Sequence, residues 1–254
     1  MPRPRPSPTP CRPVRELLIL GCGHSESLTH FNTNAAIRER GRLFLIDAGW
    51  TIKPALAAQG HGFADVDGIF ITHVHGDHVF GLERIGYESR FGLNRRIPLH
   101  LLPALEDELW THTLQGSMGG NSEGAQQLGD YFDVRYVTGE QLRTPQINAQ
   151  LIETHHTPGK LCRGLLLEDR VLFTSDTRPI PGLADLDFTI GFHDVTFQTG
   201  NPVHASLEEL LDVYPASLRK RLYLMSYDDH YAQFEDRVNA EFAGLARQGM
   251  TVPL

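Results

Sequence analysis

The sequence predicts an α/β fold of two facing sheets covered by helices, and three observations predict it. Short apolar runs of strand length recur in both halves of the chain, some paired like hairpins. Helical stretches lie between them. The 254 residues are 41% apolar and 21% charged, enough to bury one compact core, with no general sign of disorder. One domain over residues 16–254 is the expectation. Residues 1–15 are excluded from it, because six prolines among the first thirteen residues forbid a regular ladder and favour an extended, disordered Pro/Arg-rich tail.

The elements follow in order. Glu16–Leu20 reads as a buried strand, followed by the turn Gly21-Cys22-Gly23. Asn34–Ile37 and Arg42–Asp47, separated by Arg40-Gly41, read as a hairpin closed by Asp47-Ala48-Gly49. Pro54 to Gln59 reads as helix, and Gly68–Thr72 as a continuous apolar strand. A strand at Pro98–Leu102 precedes a helix at Pro103–His112 with proline in its first turn, then a flexible segment, Gly116–Gly124. Later strands fall at Tyr131–Val137, Gln150–Thr154, Gly164–Glu168, Val171–Thr174, Phe188–Gly191 and Leu222–Met225. Helices are expected at Ala205–Val213 and, finally, across Tyr231–Arg247.

Charge and cysteine usage narrow the function classes. Acidic residues outnumber basic ones 31 to 23, and the formal charge of −8 disfavours long nucleic acid as a partner. Three cysteines, Cys11, Cys22 and Cys162, suggest neither a disulfide framework nor a cysteine zinc knuckle. No apolar stretch follows the amino-terminal arginines to act as a secretory core, and no run approaches the roughly 18 apolar residues of a membrane span. A cytoplasmic protein without membrane association is expected; a homodimer is left open.

The chemistry is concentrated in Thr72-His73-Val74-His75-Gly76-Asp77-His78, directly after a buried strand. Histidine and aspartate are costly to bury alone, whereas neutral imidazoles and a carboxylate suit a divalent metal. His73 and His75 would hold one ion while Asp77 and His78 face a second. The pattern His73-x-His75-x-Asp77-His78 resembles the signature of the metallo-β-lactamase fold superfamily, and the resemblance runs from about Leu18 to Tyr231. It implies a four-layered αββα sandwich of two mixed sheets flanked by helices, and a hydrolase working through metal-activated water.

Further segments resemble the superfamily in order. Asp47, in Leu45-Ile46-Asp47-Ala48-Gly49, matches an aspartate that braces the histidine loop. His155-His156-Thr157-Pro158-Gly159 matches the next ligand segment, with His156 favoured and His155 the alternative, since adjacent side chains at a strand end point to opposite sides. Asp176, in Ser175-Asp176-Thr177, matches the bridging carboxylate. Asn201–Ser206 resembles the segment in ribonuclease Z and related phosphodiesterases whose histidine protonates the leaving group. His204 is thus the candidate acid, and with Asp77 it makes up the candidate catalytic pair. No role is assigned to His193 or Asp194. The usual last ligand histidine is replaced by Ser226, so His230 is expected to complete the second ion's shell, with Asp228 or Asp229 as substitutes or a weakly held second ion as the remaining alternatives.

Two divalent ions are expected, zinc first, with manganese or iron accepted by the same donors. The Asn32-Thr33-Asn34 segment, the single bridging aspartate and the His204 segment point to phosphodiesters, small or cyclic-nucleotide-like, as substrates. Transfer RNA is disfavoured, because Gly116–Gly124 carries no lysine or arginine. Arg90, Arg95 and Arg96 could touch one small phosphate, although a solvated basic surface explains them better. The rivals are a thioester or lactone hydrolase, which would place a ligand histidine where Lys160 stands, and a metal- or ligand-sensing module without turnover.

Overall fold

The computed structural model describes residues 15–254. The proline-rich tail therefore lies outside the described residues, except for Arg15. That residue belongs to the folded body, its guanidinium held by Glu39 and Glu168.

Two seven-stranded sheets carry the fold. The first runs in the order Thr251–Pro253, Glu16–Gly21, Asn34–Glu39, Arg42–Ile46, Val66–Phe70, Ile97–Leu101 and Phe132–Tyr136. Its amino-terminal half is antiparallel, and its last four strands run parallel. The second runs Gly244–Leu245, Leu222–Met225, Ile190–Asp194, Val171–Phe173, Arg163–Leu167, Asn148–Glu153 and Gln141–Arg143, parallel over its first four strands. The apolar runs form these strands because both faces are covered: Leu17 to Leu20 are wholly buried, as are Ile69, Phe70, Leu172 and Phe173. Among the described residues no helix is long and apolar enough to cross a membrane.

Parallel strands put their carboxyl ends on one rim. In the first sheet Asp47 follows Arg42–Ile46, and the His73–His78 segment follows Val66–Phe70, its parallel neighbour. In the second sheet Asp176 follows Val171–Phe173, Asp194 ends Ile190–Asp194 and Ser226 follows Leu222–Met225, again neighbouring parallel strands. Open α/β sheets bind ligands at such carboxyl ends.

Two expected elements change. The strand expected at Phe188–Gly191 lies at Ile190–Asp194 and ends in two buried polar residues, His193 and Asp194, whose polarity hid the continuation. The long last helix is a short one, Glu235–Glu241. Buried Phe242 leaves it in an extended conformation, and Gly244, at φ 136°, turns the chain into the strand Gly244–Leu245. The chain then returns as Thr251–Pro253 to the first sheet, a strand the sequence did not announce.

Candidate metal centre

The histidine segment is held by its neighbours before any ligand is considered. Buried Asp47 accepts from Thr72 N at 2.8 Å, Thr72 Oγ1 at 2.7 Å and His78 Nδ1 at 2.8 Å. The adjoining turn packs too closely for a side chain: a Cβ on Gly49 would fall 1.8 Å from the Asp77 carbonyl oxygen. Asn34 and Asn32 hold that turn from the other side, Asn34 Oδ1 accepting from Gly49 N at 3.0 Å and Asn32 Oδ1 from Thr51 Oγ1 at 2.9 Å. Asp47, Ser175 and Ser226 all have positive φ, near 65°, 55° and 65°, so three of the rim loops turn through the left-handed region without glycine.

Six candidate ligands from three segments converge in two groups. One comprises His73, His75 and His156; the other Asp77, His78 and Asp176, with the ligand atoms of each group within 4.8 Å of one another. Asp176 lies between the two, its Oδ2 3.3 Å from His78 Nε2 and 3.9 Å from His156 Nε2. The hydrogen bonds fix which nitrogens are free. His78 donates through Nδ1 to Asp47, His73 through Nδ1 to Thr72 Oγ1 at 3.0 Å, and His156 through Nδ1 to Val203 O at 2.9 Å. The Nε2 atoms of His73 and His78 are buried without a partner, and His156 Nε2 faces His75 Nδ1 at 3.0 Å. Orphaned buried nitrogens beside carboxylates are what a divalent cation's donor set looks like, so these residues fit the metal that the histidine pattern implies.

Protonation divides the two groups in the same way. Burial, with the neighbouring imidazoles, pushes His73 well below its ordinary value, and burial with His156 and Lys160 takes His75 down to about 4. Both are neutral donors at pH 7. His78 moves the other way: burial opposes its charge, but Asp77, Asp176 and Asp47 outweigh burial and raise it well above normal. Burial likewise opposes the Asp176 carboxylate, yet the His78 charge and hydrogen bond hold it well below the usual range.

Beside the second group stands His204. Its Nδ1 donates to Asp194 Oδ2 at 2.7 Å, and Asp194, fully buried, also accepts from Thr177 N at 2.8 Å. Burial disfavours the His204 cation, but the Asp194 charge and hydrogen bond, followed by Asp176 and Asp77, raise it to about 10. It precedes the helix Leu207–Val213, which is capped by Ser206, and its backbone N–H is tied to Asn201 Oδ1 at 2.9 Å. It is thus no freely exposed histidine at a helix start. With Asp176 and His156 it forms a third close group lining a cavity of about 380 Å³, along with His75 and Asp77.

One expected ligand is not brought in. His230 is 78% exposed, with its imidazole near Asp228 rather than the centre. The reason is the turn at Ser226: the N–H groups of Ser226 and Tyr227 both bond to Cys22 O, and the chain leaves the rim before His230. Neither proposed substitute reaches the site. Asp229 accepts from Ser27 Oγ, Leu28 N and both Thr29 donors, clasping the segment 27–29, and Asp228 accepts from His230 N. At the vacated ligand position Ser226 Oγ donates to Asp176 Oδ1 at 3.3 Å. Of the adjacent histidines, His156 points inward and His155 is exposed.

The three arginines considered for phosphate are engaged elsewhere: Arg90 with Glu123 and Gln126, Arg95 with main-chain carbonyls including Val66 O at 2.7 Å, and Arg96 with Gly129 O at 2.7 Å. Lys160 is paired with Glu108 and donates to Val74 O at 3.2 Å. The residue that sequence reasoning missed is Asp194. Its signal was faint, because the strand Ile190–Asp194 ends inside a buried polar pair that hides where the strand stops. His193, its neighbour, is structural: it donates to Asp194 O at 2.7 Å and its other nitrogen meets the Tyr214 hydroxyl at 2.9 Å.

Comparison with known proteins agrees with this geometry. Residues 15–252 match the family described as Anti-Pycsar protein Apyc1. The protein of that name from Saccharibacillus brassicae is 36% identical over 247 residues, covering 94% of this chain and 99% of that one. Its counterpart from Bacillus phage 010DV004 is 34% identical over 259 residues, covering 94% and 98%. In three dimensions the metallo-β-lactamase fold protein YhfI from Bacillus subtilis superposes with a TM-score of 0.74 at 13% identity, over 95% of this chain and all of that one. The two mixed sheets with their flanking helices are therefore the αββα sandwich of the metallo-β-lactamase fold.

Proposed function

The chain belongs to the Anti-Pycsar protein Apyc1 family, and from that premise we propose that it is a divalent-metal-dependent phosphodiesterase acting on a small cyclic nucleotide. The observation that carries the reading is the placement of His204, cationic and braced by Asp194, beside two groups of metal-type donors. Bound there, divalent cations would supply Lewis-acid charge and a water acidic enough to ionise near neutral pH. His73, His75 and His156 would hold one, Asp77 and His78 the other, and Asp176 both. Zinc suits the imidazole-rich group best, and manganese or iron would be accepted by the same atoms.

The remaining chemistry falls to the chain itself. Water adds its oxygen to phosphorus, one P–O ester bond breaks, and the departing alkoxide takes a proton from His204 Nε2 while Asp194 holds Nδ1. Asp194 also fixes the imidazole plane, so the acid is oriented before substrate arrives. An alkoxide needs that proton, whereas a thiolate, with a pKa near 8.5, leaves without one, which favours a phosphodiester over a thioester. A cavity of about 380 Å³ is the size of a single nucleotide, and the net charge of −8 and the engaged arginines argue against a long polyanion.

The test is turnover of a 3′,5′-cyclic nucleotide, an aryl acetate and a thioester by metal-loaded protein, alongside metal analysis. Cyclic-nucleotide cleavage is expected to dominate, to stop on chelation, to return with divalent ions and to be lost in Asp176→Ala. Faster ester or thioester turnover, or no diester cleavage with any divalent metal, would overturn the reading.

A further inference from the structure

On one lateral edge of the sandwich the outermost strands of the two sheets, Phe132–Tyr136 and Gln141–Arg143, flank a cavity of about 390 Å³. It shares no lining residue with the cavity over the metal-type donors. His100, Arg135, Thr138 and Arg143 line it, and no acidic side chain does, in a chain whose formal charge is −8. His100 and Arg135 are partners in the register of neighbouring parallel strands.

Charged side chains on outer strands discourage pairing with another sheet, and that alone would account for Arg135 and Arg143. It does not account for His100. This residue is only 6% exposed and its ring packs on Phe44 with centroids 5.4 Å apart, yet neither ring nitrogen has a partner among the described residues. An apolar side chain would fill the same place without leaving a polar group unsatisfied. Burial, followed by the Arg135 charge, takes His100 down to about 4, so at pH 7 the ring is neutral and carries one N–H donor. The guanidiniums also have donors to spare. Arg135 Nε and Nη2 donate to Asp133 Oδ2 at 3.0 and 2.7 Å, leaving Nη1 free, and exposed Arg143 has no side-chain partner among the described residues.

We infer that this edge cavity is a second ligand site, which takes a phosphate dianion, free or as a small monoester, between Arg135 and Arg143 with His100 donating from the buried side. Two guanidiniums balance two negative charges, and their planar forks match the spacing of phosphate oxygens. A carboxylate would leave one cation unmatched. The neutral imidazole adds a donor without adding a third charge. The site is separate from the metal centre, and binding there does not depend on the phosphodiesterase reading.

Zinc-loaded protein is titrated with inorganic phosphate, ribose 5-phosphate and acetate while the histidine ring ¹⁵N signals are followed. The signal missing from both His100→Phe and His100→Gln belongs to His100, and it reports the edge cavity separately from any phosphate held at the metal-type donors. It should move saturably with inorganic phosphate and with ribose 5-phosphate, and far less with acetate. The tighter of the two phosphates tells whether the free ion or a monoester is the better ligand. Arg143→Gln, a change at an exposed position, should raise the phosphate concentration at half-saturation roughly 10- to 150-fold, the loss of one charge-assisted hydrogen bond, and Arg143→Lys should recover part of it. Calorimetry should show one class of phosphate site weakened in Arg143→Gln and any other unchanged. A stationary His100 signal, acetate binding as tightly as phosphate, or an affinity untouched by Arg143→Gln overturns the site.

Discussion

Asp47→Asn isolates what a brace does for a ligand it never shares with the metal. Asp47 is fully buried and its backbone sits at φ 65°, a conformation asparagine tolerates, so the substitution leaves the turn intact where alanine would strain it. If the amide oxygen keeps Thr72 N, the NH₂ group replaces Oδ2, which accepts from both Thr72 Oγ1 and His78 Nδ1. The threonine hydroxyl can rotate and become an acceptor. His78 cannot adapt without moving its proton to Nε2, the nitrogen that must stay bare. One charge-assisted hydrogen bond is lost, about 1.5–3 kcal/mol, or the proton sits on the ligand atom. Removing such a brace typically costs roughly 10- to 100-fold in metal affinity. Competition of zinc against a chromophoric chelator should show two binding steps in the wild type, with the step assigned to Asp77, His78 and Asp176 weakened by that factor in Asp47→Asn. The step at His73, His75 and His156 should change much less. Two unchanged constants, or a loss confined to the imidazole group, would refute the reasoning.

Asp194→Asn removes the charge that raises His204, so burial takes over and the imidazole pKa falls. A raised histidine is protonated below its folded pKa; the alkaline limb of kcat should move to lower pH and kcat at pH 8 should drop roughly 10²- to 10⁴-fold, with KM affected less. An unmoved limb would exclude His204 as the acid. His230→Ala should leave metal content and rate within about twofold of wild type, because the side chain is 78% exposed and belongs to none of the donor groups; loss of one ion would reinstate it as a ligand. Metal-free protein should lose stability toward acid on account of His193, which burial holds down to about 4. A depressed group stabilises above its unfolded pKa of about 6.5 and loses that contribution as pH falls toward 4, which amounts to about 2 kcal/mol at pH 5. Urea midpoints of wild type and His193→Gln at pH 7.5 and 5 measure it, and an equal drop between the two pH values in both proteins would show that His193 is not shielded.

The legible part of this protein is the part written locally. His73, His75, Asp77 and His78 lie within six positions after a fully apolar strand, and both the strand and the polar cluster announce themselves. Asp47 and Asp176, each just past a buried strand, were readable through the resemblance of their segments to the superfamily pattern. Asp194 ends one as well, but two polar residues in a row, His193 and Asp194, disguised the strand that carries them; only Tyr214, Thr177 and His204, from distant segments, make their burial affordable. His230 failed for the opposite reason. Nearness in sequence to the vacated ligand position suggested a substitute, and the direction of the chain after Ser226, set by two hydrogen bonds to Cys22 O, decided otherwise. The carboxyl-terminal strand was illegible because Thr251–Pro253 is too short and too polar to show a period, and it exists through pairing with Glu16–Leu18.

Two buried histidines show what separates a ligand from a core residue. His193 has both nitrogens satisfied, by a carbonyl and a hydroxyl, and burial alone sets its proton affinity, so it stays neutral. His78 is equally buried, but one nitrogen is satisfied by Asp47 and the other is orphaned among Asp77 and Asp176. That environment draws positive charge strongly enough to outweigh desolvation and protonate the ring. The demand comes from the carboxylates, and a proton on Nε2 and a divalent cation compete to meet it. Ser226, which adds neither charge nor an imidazole, leaves the second group with three charged or ring donors, one fewer than a closed tetrahedral site. With Ser226 at that position the second group would keep a place open for solvent or substrate beside His204, where the proton is needed.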